Sequence, residues 1–407
     1  MNTDPLMQTY GRQPLAFERG EGVWLYDSAG QKYFDAISGI GVTGLGHAHP
    51  AVTDAIQRQA SQLLHCSNLY EIPLQTRLAE ALCEVSDMDR AFFCNSGAEA
   101  NEAAIKLARL YGHRRGNRSP VIVVLDQAFH GRTLATLTAT GNRKVQAGFE
   151  PLLSGFVRVP PNDIDALMAV ARNNPDIVAV LMEPVQGEGG LTVLSEDYLR
   201  AVRQLCDARE WLMMLDEVQS GNGRTGSYFT YQSAGVLPDV VTTAKGLGNG
   251  LPIGACLARG EAAHVLTPGS HGSTFGGNPL VCAGALAVVR TIRDQHLADR
   301  ARSLGQQLLE IFHTFFDGAD YVLDIRGKGL MLGIELDDPC PELVPLAKTQ
   351  GLLINVTRQN VVRLLPPLIM TDAEAEWLAT SLVRLIKLYK ADERMLPRQT
   401  NGDRIQP

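Results

Sequence analysis

Three short stretches carry residues whose types and surroundings could do chemistry. Asp216 and Glu217 follow the apolar run Trp211–Leu215, Lys245 follows Val240–Thr243 and precedes a glycine-rich loop, and Asn95-Ser96-Gly97-Ala98 follows Phe92–Cys94 where a helical pattern begins. A carboxylate at the end of an apolar strand is costly unless it meets a cation or hydrogen-bond donors. Lysines rarely end buried strands, and a desolvated lysine gives up its proton more easily and can form a Schiff base with a carbonyl. Ser96 offers a hydroxyl, and the helix after it offers free backbone N–H groups at a positive helix end, a site suited to phosphate. Each has an ordinary alternative when taken alone: an N-capping serine, a paired core aspartate, a lysine whose stem reaches solvent.

The elements that must position these groups are readable as an alternation. Near the N-terminus, Val23–Asp27 and Lys32–Ala36 flank Ser28-Ala29-Gly30-Gln31 and read as a hairpin. The runs Ala91–Cys94, Val121–Leu125, Ile177–Met182, Trp211–Leu215, Val240–Thr243 and Ala255–Ala258 are nearly continuous in apolar residues. Such runs mark strands buried on both faces of a mainly parallel sheet. Amphipathic stretches at Glu99–Tyr111, Asp163–Asn173 and Glu196–Glu210 lie between them, and strand–helix repetition of this kind argues an α/β domain with helices on both faces. In open α/β sheets, ligands sit beyond the carboxyl ends of the strands, where Asp216, Lys245 and Ser96 are delivered.

After Gly276-Gly277-Asn278-Pro279 a long helical pattern runs to about Gln295, and the texture then changes. A helix over 298–316, strand-like runs at Tyr321–Ile325, Leu330–Leu336, Leu352–Val356 and Val361–Leu365, and a helix from Thr371 to Tyr389 indicate a smaller α+β unit. The expected division is an N-terminal segment over 1–47, a large cofactor-binding domain over 48–280, a small domain over 281–395 and a polar, flexible tail over 396–407.

Composition narrows the function classes. With 45% apolar and 20% charged residues the chain is an ordinary globular protein rather than a disordered one. Its 37 basic and 44 acidic residues leave a net charge of −7, which disfavours an electrostatic nucleic-acid binder. No apolar run approaches the roughly 18 residues of a membrane span, and Met1–Pro5 shows no secretory signal. The seven cysteines are scattered without a CxxC pair, which fits a reducing cytosol, and the nine histidines form no metal motif. Cytoplasmic location and no metal are the expectations.

A phosphate anchor, a partner for a protonated ring nitrogen and an imine-forming lysine are together the handles of pyridoxal 5′-phosphate. The sequence also resembles the class III pyridoxal-phosphate-dependent aminotransferases of fold type I, from Tyr10 to about Lys390. The resemblance rests on Asn95–Asn101, Phe129–Thr133, Glu183–Gly190, Leu215–Gly221, Gly223–Gly226, Ala244–Leu247 and His271–Pro279. It implies a mainly parallel seven-stranded sheet with helices on both faces, plus a smaller α+β domain built from the C-terminal part and the N-terminal segment.

By the same resemblance, Lys245 is the Schiff-base lysine and proton shuttle, Asp216 pairs with the pyridine nitrogen, and Gln219 hydrogen-bonds the phenolic oxygen. Ser96, Gly97 and Ala98 hold the phosphate, with Ala98 where the family more often has threonine, and Phe129 stacks on the ring. Glu217 and Val218 count among the cofactor-contacting residues. Ser273 and Thr274 reach a neighbouring subunit's site, which implies a homodimer with shared active sites. Arg132 and Arg363 take substrate carboxylates, Glu188 neutralises Arg363 when it is empty, and Tyr10 helps grip an α-carboxylate. The implied reaction is an ω-amino transfer from N2-acetylornithine to 2-oxoglutarate in arginine biosynthesis, with N-succinyl-diaminopimelate as a further donor. Ornithine, succinylornithine or 4-aminobutyrate as donor, an aminomutase or decarboxylase, and a non-enzymatic binding protein remain as alternatives.

Overall fold

The buried apolar runs become seven strands of one sheet: β1 (Arg90–Cys94), β2 (Val121–Leu125), β3 (Phe156–Val159), β4 (Ile177–Met182), β5 (Leu212–Asp216), β6 (Val240–Thr243) and β7 (Gly254–Ala258). The computed structural model describes residues 5–395, so the tail expected over 396–407 lies outside the described residues. The strand order is β1-β7-β6-β5-β4-β2-β3. All neighbours are parallel except β7, which runs antiparallel to both β6 and β1. Alternation along each strand divides the apolar side chains between the two faces: Val123, Leu125, Met213 and Leu215 enter one core, while Ile122, Val124, Leu212 and Met214 enter the other. Burial on both faces is why these runs read as continuous rather than alternating.

The reversal of β7 follows from the short connection 244–253, since a parallel return needs a crossover of roughly a dozen residues or more. That connection instead folds across the carboxyl end of β6 and brings Lys245 and Gly250 to Ile253 to one cavity wall. β3 escaped the sequence reading because its four residues are broken by Arg158 at the sheet's edge. The expected helix at 99–111 is longer, α1 (Gly97–Arg114), and buries Ala100, Ala103, Ala104, Leu107 and Ala108 against the sheet. Two further helices, Pro50–Ala60 and Pro73–Ser86, each start with proline in the first turn, where its missing N–H is harmless.

In the C-terminal part, Val322–Lys328, Met331–Leu336, Val361–Leu364 and Asn355–Thr357 form a four-stranded antiparallel sheet, backed by helices Leu297–Phe315 and Asp372–Met395. The run expected as one strand over Leu352–Val356 splits. Leu352–Leu353 pairs in parallel with Lys32–Asp35, completing an N-terminal sheet with Phe17–Glu21 and Trp24–Asp27, whereas Asn355–Thr357 joins the C-terminal sheet. The N-terminal segment is stitched on further by Leu365 N–H to Ala36 O and Leu368 N–H to Gly44 O, both at 2.7 Å. The small unit therefore combines the two chain ends, and its strand Val361–Leu364 carries Arg363 toward the large sheet.

Candidate active site

Strand β5 ends in Asp216, which is 4% exposed. Its Oδ2 accepts from Asn101 Nδ2 at 2.7 Å and lies 2.8 Å from His130 Nδ1, and its Oδ1 accepts the Val218 N–H at 3.0 Å. The Thr242 hydroxyl donates to Asn101 Oδ1 at 2.7 Å, which turns the Asn101 amide nitrogen toward Asp216. A carboxylate has about four acceptor positions, so three chain donors leave room for one more from the cavity that Asp216 lines.

Lys245 follows β6 and lines the same cavity. Its φ is 44°, in the left-handed region, which costs a non-glycine residue about 1–2 kcal/mol. Burial, reinforced by the Arg363 charge, pushes the lysine's pKa down, against the opposing pull of Glu188, Asp216 and Glu183. A larger neutral fraction is what a nucleophilic or proton-accepting amine requires.

At the other end of the sheet's rim, Ser96 caps α1 by accepting the Glu99 N–H at 3.2 Å. The capping contact uses only an oxygen lone pair, so the hydroxyl proton is available to a ligand, together with the first N–H groups of the helix. The backbone there is tightly packed. A Cβ on residue 97 would fall 2.6 Å from Val218 Cγ1, and one on residue 131, whose φ is +140°, would fall 2.6 Å from Thr136 Oγ1 and 2.9 Å from Ala98 Cβ. Glycine is required at both positions for the chain to approach this closely.

The cavity has a volume of about 430 Å³ and is also lined by Phe129, Val218 and Gln219. Among these walls Asp216 would hold the nitrogen of a flat heteroaromatic ring, Ser96–Ala98 would hold a phosphate on it, and Lys245 would meet its carbonyl. The unfilled acceptor position on Asp216, the lysine with its lowered pKa and the helix end together match pyridoxal 5′-phosphate.

Toward the small unit, Arg363 is 1% exposed and fully engaged. Its Nη1 donates to Glu188 Oε1 at 2.6 Å and to Gln219 Oε1 at 3.5 Å, while Nε and Nη2 donate to Asn355 Oδ1 at 3.1 and 2.7 Å. The Glu188 side chain remains 39% exposed, so it has open space to turn into. Arg132 also lines the cavity, with its guanidinium 5.7 Å from the centre of the Phe129 ring.

Five of the expected residues do not line this cavity in the single chain: Arg363 borders it through its contacts with Glu188 and Gln219, and the other four lie away from it. Glu217 points to the opposite side of β5, where its carboxylate accepts from the Ser220 and Thr230 hydroxyls at 2.6 and 2.8 Å and from Tyr231 N–H at 3.1 Å. It is an internal structural acid rather than a cofactor contact, as the alternation of side chains past Asp216 requires. Tyr10 is 72% exposed, in an N-terminal stretch without regular structure. Ser273 accepts from Asn95 Nδ2 and Gly276 N–H, both at 3.1 Å, outside the cavity wall, and Thr274 is exposed.

Sequence reasoning missed the supporting groups Asn101, His130, Glu183 and Asn355. The first three lie inside the motif blocks quoted above, where Asn101 and His130 could have been tested as buried partners of Asp216 and Glu183 as a buried acceptor for neighbouring loop amides. Asn355 had no signal, because only the strand register Asn355↔Arg363 sets it beside the arginine. Among the described residues no group of histidines, cysteines and acids could hold a metal ion, and no helix is long and apolar enough to cross a membrane.

Comparison with known proteins converges on the same chemistry. A profile of the aminotransferase class-III family matches residues 7–386. Acetylornithine aminotransferase of Nitrosomonas europaea is 56% identical over 384 residues, covering 94% of this chain and 98% of that protein. Among solved structures, N-acetylornithine aminotransferase from Stenotrophomonas maltophilia superposes with a TM-score of 0.82 at 34% identity, covering 94% of this chain and 98% of that one. Ornithine aminotransferase from Toxoplasma gondii, whose structure has partial occupancy of PLP at its active site, superposes with a TM-score of 0.91 at 32% identity, covering 96% of this chain and 94% of that one.

Proposed function

The chain belongs to the class-III aminotransferases and is a pyridoxal-phosphate-dependent transaminase of fold type I, and we propose that it moves the ω-amino group of N2-acetylornithine to 2-oxoglutarate, as a cytoplasmic homodimer in arginine biosynthesis. One observation carries the substrate reading: the buried Arg363 is paired with a half-exposed Glu188. A site that takes a donor with no carboxylate on its reacting carbon in one half of the cycle and a 2-oxo dicarboxylate in the other needs a cation that can be neutralised and then released. A buried unpaired arginine would otherwise be strongly destabilising.

When bound, pyridoxal phosphate supplies an electron sink that acidifies the carbon bearing the amine. Asp216, held by Asn101, His130 and Val218, keeps a proton on the ring nitrogen. Lys245 Nζ takes the proton from the substrate carbon, a role its depressed pKa favours. Arg132 holds the α-carboxylate of the donor, while Glu188 stays on Arg363. With the dicarboxylate present, Glu188 turns toward solvent and Arg363 receives the second carboxylate in its planar fork. Gln219, beside Arg363, spans the boundary between the cofactor and substrate ends.

An exposed apolar cluster at Leu69, Tyr70 and Phe275 supports the homodimer. It lies beside Ser273, whose carbonyl accepts from Asn68 at 3.1 Å, and Ser273 and Thr274 would there reach the neighbouring subunit's cavity. All seven cysteines are free, in keeping with a reducing compartment.

The test is a kinetic panel with 2-oxoglutarate as acceptor. Acetylornithine should exceed ornithine and 4-aminobutyrate in kcat/KM by about tenfold or more, the discrimination that a couple of polar contacts supply. A hundredfold preference for ornithine or 4-aminobutyrate would overturn the donor assignment.

A further inference from the structure

Glu183 stands immediately after β4, as Asp216 ends β5, and it is 6% exposed. Its two carboxylate oxygens serve two different loops. Oε1 accepts the Phe129 N–H at 2.8 Å, and Oε2 accepts the Gly187 N–H at 3.2 Å. The first loop continues to Arg132; the second continues directly to Glu188. Residue 187 is hemmed in further, since a Cβ there would fall 2.0 Å from Gln219 Oε1. On the other side of Glu188, its own carbonyl accepts the Thr357 hydroxyl at 2.8 Å.

The backbone of Glu188 is thus clamped before and behind, while its side chain remains 39% exposed. We infer that Glu183 is a positioning residue that confines the exchange at Arg363 to rotation of the Glu188 side chain, and thereby sets the balance between an ω-amino donor with no carboxylate on its reacting carbon and a dicarboxylate acceptor. This deepens the substrate reading above and rests on it. A loop free to drift would let Glu188 leave Arg363 without a ligand to replace it, so the closed form that accepts the ω-amino donor would be less populated. Arg363 would then be more open to dicarboxylates.

Glu183 sits in a charged neighbourhood. Burial pushes its carboxyl up to about 7, with His130 lowering and Asp216 raising it and the Phe129 and Gly187 amides lowering it. Lys245 also senses its charge, along with those of Glu188 and Arg363. A protonated Glu183 has one oxygen that donates, so one of the two loop amides loses its acceptor. The clamp is therefore tightest above about pH 7 and loosens below it.

The experiment compares wild type and Glu183→Gln holoenzyme in separate half-reactions, followed by the cofactor's absorbance, with acetylornithine and with 2-oxoglutarate. A carboxamide offers one acceptor oxygen and an NH2 group, so one amide is left unpaired. The ratio of donor to acceptor kcat/KM should fall about tenfold, the scale set by a buried N–H without a partner. Glutarate, a dicarboxylate that cannot react, should bind the variant holoenzyme more tightly by calorimetry. Protonation of the donor amine lowers the ratio in both proteins as pH falls, and the wild-type ratio should drop more steeply than the variant's between pH 8 and pH 6.

Thr357→Val releases the clamp from its other side and should shift the ratio in the same direction, which keeps the test open if Glu183→Gln folds poorly. Equal losses in both half-reactions, unchanged or weaker glutarate binding, or an equally steep pH dependence of the ratio in the variant would each overturn the inference. Failure of the donor reading looks different: wild-type enzyme would then react with 2-oxoglutarate and ornithine but not with acetylornithine.

Discussion

The two ends of the cavity are built on different principles. At the cofactor end, Ser96, Asp216 and Lys245 are each set by the end of a strand in one sheet, within a few residues of buried apolar side chains. Their partners are permanent, as the three donors on Asp216 show. At the substrate end, Arg363 comes from the small sheet, Glu188 from a loop beyond β4, and Arg132 from a loop beyond β2. The contact between Glu188 and Arg363 joins two exchangeable groups, one buried and one half-exposed. The invariant chemistry is thus housed in the rigid sheet, and the choice of partner is housed where separate elements meet.

The largest effect should come from breaking the cofactor end. Lys245→Ala is expected to lower turnover by at least about a thousandfold with every donor and acceptor alike, because in the proposed mechanism the lysine is both the covalent anchor and the proton carrier. Borohydride treatment should no longer attach the cofactor at position 245, while Asp216 and the N-terminus of α1 still bind it reversibly. A variant that transaminates near the wild-type rate would show that the lysine is misassigned.

At the substrate end the loss should be selective. Arg363→Ala is expected to raise KM for 2-oxoglutarate about a hundredfold, the usual consequence of truncating a buried, hydrogen-bonded charge. The acetylornithine half-reaction should change far less, since Glu188 has solvent to turn to. Equal damage to both half-reactions would erase the distinction between the two ends.

The same division explains what was legible in the sequence. Ser96, Asp216 and Lys245 could be read because the end of a continuous apolar run places the next residue at the sheet's rim by local rules alone. The resemblance to the family supplied the pairing of Glu188 with Arg363, which the geometry now displays. Asn355 was out of reach, since its place depends on a strand register between segments whose break at Ile354 has no local cause. The reversal of β7 was within reach: a connection over 244–253 is too short for a parallel crossover. Tyr10, Ser273 and Thr274 do not line the cavity of the single chain.

The smallest expected effect separates two neighbours at the cofactor end. Asp216 and Glu217 are adjacent, yet alternation sends one toward the cavity and the other into the core. Glu217 is 0% exposed, and burial pushes its carboxyl up to about 7 despite hydrogen bonds from Ser220, Thr230 and Tyr231. The native protein therefore keeps a proton there that the unfolded chain releases above the ordinary value of 4.5. The resulting contribution is full below that value, declines as pH rises and is lost by about pH 7, a span of about 3 kcal/mol for a shift of this size. Glu217→Gln removes the titration and leaves the cavity untouched. Urea denaturation of holoenzyme at fixed cofactor concentration should show the wild type losing stability relative to the variant between pH 5 and pH 8. Glu183 titrates over the same range in both proteins, so the difference isolates Glu217. A difference independent of pH would mean that Glu217 is ionised throughout.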